Sequence, residues 1–229
     1  MNKDISVVMP VFNNEELVKE SINSVLNQSF ENFEFLIIDD GSTDKTYSVL
    51  KEYESDNRVK LYKNNKNIGL TKSLNKLIEI SSGAYIFRQD SDDVSFPERF
   101  KVQLDILKTS KYKVCTARAI NSENNKVIPG ISSWLPKSIT MKYKNPYIHG
   151  TLAVEKNLLN SIGNYNEEYF YSQDYKLYID FLHKGEKIFE IKNPLYQLNT
   201  RNNISTHMRS EQRYFFQKAK RTKKSLFIN

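Results

Sequence analysis

Short apolar runs alternate with amphipathic stretches through the first half of the chain, and this alternation constrains the fold more than any other feature. Ile5–Met9, Phe33–Ile38, Val59–Tyr62 and Tyr85–Phe87 read as strands, the first ended by Pro10. Between them, Glu15–Asn27 carries Leu17, Ile22, Val25 and Leu26 at helical spacing, with Asn14 as its expected N-cap. Ser42 or Thr43 is expected to cap a second helix running to about Glu54, and Leu70–Ile80 is a third. Pro97 suits the first position of a fourth, reaching about Leu107. Such interleaving predicts an α/β fold with a mainly parallel central sheet, buried on both faces and flanked by helices. Beyond Tyr112–Ala119 the pattern loosens: residues 120–147 hold Pro129, Gly130, Pro136 and Pro146 and read as loops with short strands. Helices are expected again over Glu155–Ile162 and Asp174–Lys184.

In a sheet of this kind ligands bind beyond the carboxyl ends of the strands. Three polar loops fall there: Pro10–Asn14, Asp39–Asp44 and Asp90–Asp93. The last, Asp90-Ser91-Asp92-Asp93, packs three carboxylates into four positions. Their mutual repulsion is relieved if a cation sits among them, and a hard divalent ion shares its shell with substrate phosphates. An EF-hand fails, because Val94 stands at the third ligand position and no glycine follows; a solvated turn is the plain alternative. Asp39 and Asp40 are more acid than a helix cap needs. A carboxylate there, Asp40 above all, can accept from a nucleobase N–H or ribose hydroxyls. Asn67-Ile68-Gly69 is a turn at which backbone could approach a phosphate, or a plain helix entry. Asp174, in Ser172-Gln173-Asp174-Tyr175, is a candidate general base or only a cap. His149 and His207 read more readily as structural or exposed than as ligands.

The single cysteine, Cys115, rules out an internal disulfide and fits a reducing compartment. No apolar run approaches the roughly 18 residues of a membrane span, so a cytoplasmic protein is expected. The net charge of +7 is local, since residues 209–224 hold seven Lys or Arg and one Glu. That tail, with Tyr214, Phe215 and Phe216 among its bases, could lie on an anionic membrane surface such as the inner face of the plasma membrane. It does not describe a nucleic-acid-binding face. A nucleotidyltransferase of similar architecture would carry a glycine-rich, basic loop after the first strand, where this chain has Pro10-Val11-Phe12-Asn13-Asn14. A catalytically silent nucleotide-sugar-binding module is the other rival.

Taken together, several segments resemble the family 2 glycosyltransferases of the GT-A fold. They are Ser6–Asn13, Ser24–Phe30, Asp39–Asp44, Asn67–Leu70, Asp90–Asp93 with Pro97-Glu98-Arg99, His149-Gly150-Thr151, Gly163–Glu167, Gln173–Tyr178 and Arg201–Ser205, spanning roughly 4–205. The resemblance implies a catalytic domain over 1–208, with a nucleotide-sugar-binding half (1–110) and an acceptor-binding half (111–208), followed by the basic tail 209–229. It implies an inverting enzyme of bacterial surface-polysaccharide or lipooligosaccharide synthesis, acting with Mn2+ or Mg2+. The donor would be a nucleotide sugar, most often a UDP-hexose or UDP-N-acetylhexosamine, and the acceptor a glycan or lipid-linked glycan. Carried over by position, Pro10, Val11 and Phe12 line the base pocket with Glu16 nearby, and Asp40 contacts uracil. Asn67 and Lys72 lie toward the diphosphate, Asp90 and Ser91 toward the ribose. Asp92 binds the metal and Asp174 is the catalytic base. Gln173 departs from the family's usual Glu-Asp pair and removes a neighbouring charge.

Overall fold

The computed structural model describes residues 3–130, 135–200 and 209–221. β1 (Ile5–Val11), β2 (Phe33–Asp39), β3 (Val59–Lys63) and β4 (Tyr85–Arg88) alternate with α1 (Val18–Leu26), α2 (Thr46–Lys51) and α3 (Leu70–Ile80). Then come β5 (Val94–Ser95), α4 (Arg99–Thr109), β6 (Val114–Asn121), β7 (Val127–Ile128) and α5 (Lys137–Thr140). A 3-10 turn (His149–Thr151), β8 (Ala153–Glu155), α6 (Lys156–Ser161), α7 (Gln173–His183), β9 (Ile188–Leu198) and α8 (Arg209–Arg221) complete the order.

One sheet runs β3-β2-β1-β4-β8-β6-β9-β5, with β7 added to β6. The expected parallel pairing holds from β3 to β4. In the second half β6 and β9 are parallel as well, but β8 is antiparallel to both β4 and β6 and β5 is antiparallel to β9. The sheet is therefore mixed. Strand periodicity divides its side chains between two cores. On β1 and β2, Val8, Leu36 and Ile38 pack under α3, α6 and α7, while Val7, Met9, Phe35 and Ile37 pack under α1, α2 and α4. Phe100 of α4 anchors the second core, edge-on to both Phe33 and Phe87.

Several expected boundaries move, for identifiable reasons. Pro10 does not end β1. The Val8 carbonyl accepts from Gln89 on the β4 side and the Val11 carbonyl from Asp40 on the β2 side. Alternation turns the nitrogen of Pro10 toward β4, beyond β4's last paired residue, Arg88, so no ladder bond is lost. Asn14 does not cap α1; its side-chain amide donates to Ser91 Oγ at 3.0 Å. Ser42 and Thr43 do not open α2, because both bond Asn13, and the Asp44 carboxylate accepts the Thr46 N–H instead. Pro97 precedes α4 by two residues. β9 escapes the sequence pattern because Lys192-Asn193-Pro194 interrupts it; Pro194 sits where the pairing with β6 shifts register.

The basic tail is not a separate appendage over 209–221. Phe216 stacks on Tyr175 with centroids 4.2 Å apart, Phe215 meets Tyr169 and Tyr171, and Ala219 is fully buried. The aromatic pair expected to face a membrane instead packs against the rest of the protein. Arg201–Ser205 and His207 lie outside the described residues.

Candidate active site

β2, β1 and β4 are adjacent and parallel, so the loops after them meet at one edge. Side chains lock them together. Asn13 accepts from the Thr43 N–H at 2.8 Å, Asn14 reaches Ser91, and Ser21 Oγ donates to the Asp90 carbonyl at 2.8 Å. Pro10 and Val11 are buried, which leaves only backbone for a ligand, whereas Phe12 is 45% exposed. Glu16, Asn67 and Lys72 are exposed. Lys72 lines a small cleft of about 30 Å³ with Gly69, Glu167 and Phe170.

The two aspartates after β2 have different surroundings. Asp40 is engaged by three protein donors: Oδ1 accepts from Asn64 Nδ2 and the Ile68 N–H, and Oδ2 from the Gly69 N–H. It holds the 64–69 loop at the start of α3. Gly41 lets that loop close in, since a Cβ there would lie 2.5 Å from the Lys66 carbonyl carbon. Asp39 is fully buried; Oδ1 accepts the Ser42 N–H, but Oδ2 has no hydrogen-bond partner. Lys63 Nζ, at 3.9 Å, is its nearest countercharge.

The acidic cluster rests on a buried polar frame. Arg88 is 2% exposed and forms an ion pair with Asp90. Arg99, fully buried, donates to Gln103, Gln89, Ser95 and the Arg88 carbonyl. Burial pushes its guanidinium down to about 10. Gln89 donates to the carbonyls of both Asp90 and Asp93, bracing the loop from beneath. The Tyr196 hydroxyl, from β9, accepts the Asp90 N–H and bonds the Asp93 carboxyl. Asp93 is buried and accepts the Asn199 N–H; burial, then Asp90 and Asp92, push its carboxyl well up. Gly150 packs against this frame: a Cβ there would come within 2.4 Å of the Tyr196 hydroxyl and 2.6 Å of Asp90 Oδ2.

Asp92 is the exposed member of the cluster. Its carboxyl is nevertheless pushed up to about 6, first by the surrounding protein and then by Asp90. Repulsion of this kind favours a cation, and carboxylate oxygens are hard donors. Among the described residues no group of three or more His, Cys, Asp or Glu converges as a metal cage. Asp92, with Asp90 beside it, could offer carboxylate oxygens to an ion but does not by itself form a cage.

Asp174 opens α7, after Ser172 in left-handed backbone. Asn145 donates to its Oδ2 at 2.6 Å. His149 and Tyr165, joined at 2.7 Å, feel the charges of both Asp174 and Asp90. The segment 145–150 links the two carboxylate sites, since Asn145 donates to Asp174 and Gly150 lies against Asp90. Burial, followed by Arg88, lowers the His149 pKa and favours the neutral imidazole. Sequence reasoning missed Arg88, Asn145 and Tyr196, and gave Arg99 and Gly150 no role. Arg88 alone carried a signal, as a charge closing an apolar run just before three acids.

A family model described as "Glycosyl transferase family 2" matches residues 6–165, a span that stops short of Asp174. EpsE of Bacillus subtilis, named as a glycosyltransferase, is 30% identical over 85% of this chain and 72% of its own length. WfgD of Escherichia coli, a UDP-Glc:alpha-D-GlcNAc-diphosphoundecaprenol beta-1,3-glucosyltransferase, is 29% identical over 78% of this chain and 69% of its own. S. aureus TarS, solved with UDP-GlcNAc, superposes with a TM-score of 0.73 at 20% identity, covering 90% of this chain and 61% of that one. The mannosyltransferase PcManGT of Pyrobaculum calidifontis, solved with GDP-Man and Mn2+, gives 0.73 at 16% identity, covering 96% and 65%. The chain belongs to glycosyl transferase family 2, and its fold is the GT-A type.

Proposed function

We propose that this glycosyltransferase moves a sugar from a UDP-hexose or UDP-N-acetylhexosamine to a hydroxyl of a glycan or lipid-linked glycan, inverting the anomeric carbon. Its setting is the cytoplasmic side of a bacterial membrane, in cell-surface polysaccharide synthesis. The observation that carries the reading is that one short segment touches both carboxylate sites: Asn145 donates to Asp174, and Gly150 packs against Asp90. The UDP-GlcNAc of TarS and the UDP-Glc donor and diphosphoundecaprenol acceptor in the name of WfgD support the substrate classes, and the GDP-Man of PcManGT supports only the wider class of nucleotide sugars.

Asp174 takes the proton of the acceptor hydroxyl as that oxygen attacks C1, a role worth about 10²–10⁴ in rate. Asn145 fixes Oδ2 and the Tyr175 N–H fixes Oδ1, which orients the carboxylate and leaves each oxygen a further lone pair. The nucleoside diphosphate leaves toward Asp90 and Asp92. A Mn2+ or Mg2+ ion held by Asp92 supplies Lewis-acid neutralisation of the diphosphate when bound. Arg88 pairs with Asp90 and orients it. The base contact is assigned to Asp39, whose Oδ2 has no hydrogen-bond partner and lies 3.9 Å from Lys63 Nζ, whereas Asp40 already accepts three protein donors.

Nucleotide release is read over UDP-, GDP- and dTDP-sugars with and without Mn2+. Asp174→Asn is expected to abolish transfer and hold donor affinity within about twofold, as a pure loss of general base requires. Normal transfer by this variant sinks the assignment. Asp39→Asn is expected to weaken UDP binding; affinity unchanged by Asp39→Asn but lost in a folded Asp40→Asn returns the base contact to Asp40.

A further inference from the structure

A cavity of about 420 Å³ is walled by α3, α7 and the segment 162–167 between α6 and α7. Neither Asp174 nor the acidic cluster lines it. The volume lies within the range of ligand pockets and admits a sugar ring. Its polar wall consists of Asn75, Asn164, Asn166, Glu167, Lys176 and Asp180.

Several polar atoms of this wall are left over after the protein's own bonds are made. Asn164 Oδ1 is buried and has no hydrogen-bond partner. Asn166 uses Oδ1 to accept the Glu168 N–H, which leaves its amide nitrogen. Glu167 Oε1 accepts from Asn75 Nδ2 at 3.1 Å, which leaves Oε2. The leftover set mixes donors with acceptors, as a hydroxyl-rich ligand requires, since every hydroxyl both donates and accepts. Lys176, the single cation in this wall among the described residues, already donates to both oxygens of Asp180, at 2.6 and 2.7 Å. With Glu167 adding a negative charge, the wall does not suit a phosphate or a carboxylate. An apolar ligand would strand the Asn164 oxygen and the Glu167 carboxylate.

We propose that this pocket is a saccharide-binding subsite, which takes a hexose or N-acetylhexosamine unit of the acceptor away from the reacting hydroxyl. Its position fits that task. Asn75 lies about 9 Å along α3 from Gly69, which Asp40 holds at the edge where the strand loops meet. Glu167 lines both this pocket and the small cleft of Gly69, Lys72 and Phe170, so the two adjoin. Phe170, 62% exposed, offers a ring face to sugar C–H groups along that path. Tyr165 ties the pocket to the candidate site. Asn75 bonds both its N–H and its carbonyl, at 3.0 and 2.9 Å, and its hydroxyl meets His149 at 2.7 Å. The acceptor role rests on the glycan acceptor proposed above; the saccharide chemistry of the pocket does not.

The test is an amide NMR titration of the whole chain with maltotriose and with chitotriose, without donor. At least one of the two is expected to shift the Gly163, Asn166 and Glu167 cross-peaks saturably, while inorganic phosphate leaves them in place. Asn166→Ala with Glu167→Ala should weaken that binding about tenfold or more, because two hydrogen bonds are lost. Glu167→Gln, which keeps the shape and the bond to Asn75, should weaken it about fivefold. The proposal is overturned by no saturable shift with either sugar, by shifts confined to Asn145 and Gly150, by a larger response to phosphate, or by unchanged affinity in both variants. Nucleotide release from the donor is measured in parallel. Its absence sinks the transferase reading and leaves the pocket standing; a failed titration does the reverse.

Discussion

Glu34 gives the sharpest quantitative test of what holds the fold together. It lies near the start of β2, at the opposite edge of the sheet from the acidic cluster, with its side chain 2% exposed. One oxygen accepts from Ser6 Oγ, the Ser82 N–H and Ser82 Oγ at 2.6, 2.6 and 2.8 Å; the other accepts from Lys60 at 2.7 Å. A single carboxylate thereby joins β1, β2, β3 and the turn before β4. Burial pushes its pKa up, but Lys60, Ser6 and Ser82 outweigh burial and hold it at about 2, against an ordinary 4.5. At about 1.4 kcal/mol for each pH unit, that gap corresponds to about 3 kcal/mol of stability at neutral pH. Lys60 is half exposed, so screening trims the expected effect to about 2–3 kcal/mol. The pKa is depressed, so the stability is present above about pH 4.5 and is lost as pH falls toward 2. Glu34→Gln keeps the shape and removes the charge. Urea unfolding at pH 7 should show the variant about 2–3 kcal/mol less stable with an unchanged slope, and the deficit should shrink by about half or more by pH 3. A deficit that stays constant between these pH values would show that shape and hydrogen bonding, not charge, carry the effect, and would refute the account.

Three further outcomes follow from the geometry. Gly150→Ala forces its new methyl into the Tyr196 hydroxyl and Asp90 Oδ2; turnover should fall about 100-fold, as for a displacement near 1 Å, with a much smaller change in melting temperature. Arg99→Lys cannot reproduce a fork that serves Gln103, Gln89, Ser95 and the Arg88 carbonyl, and should cost about 2–4 kcal/mol in urea unfolding. Phe216→Ala removes the ring stacked on Tyr175, next to Asp174; it should cost about 2 kcal/mol and lower kcat more than it raises donor KM.

These effects also mark where sequence reading stops. α3 is legible end to end, Leu70–Ile80, because its apolar positions are spaced for one face and its entry is a glycine at φ 91°. β8 has three residues and β9 carries Pro194 at a bulge, so neither shows a strand period, although together they close the second half of the sheet. At the candidate site the residue types were legible and the division of labour was not. Asp39 and Asp40 are adjacent and chemically identical. Which one retains a free oxygen is decided by Asn64, Ile68 and Gly69, donors more than twenty positions away in sequence. The tail makes the same point with opposite sign. Its composition alone suggests a membrane helix, but the register of α8 turns Phe215, Phe216 and Ala219 onto the tyrosines at the start of α7.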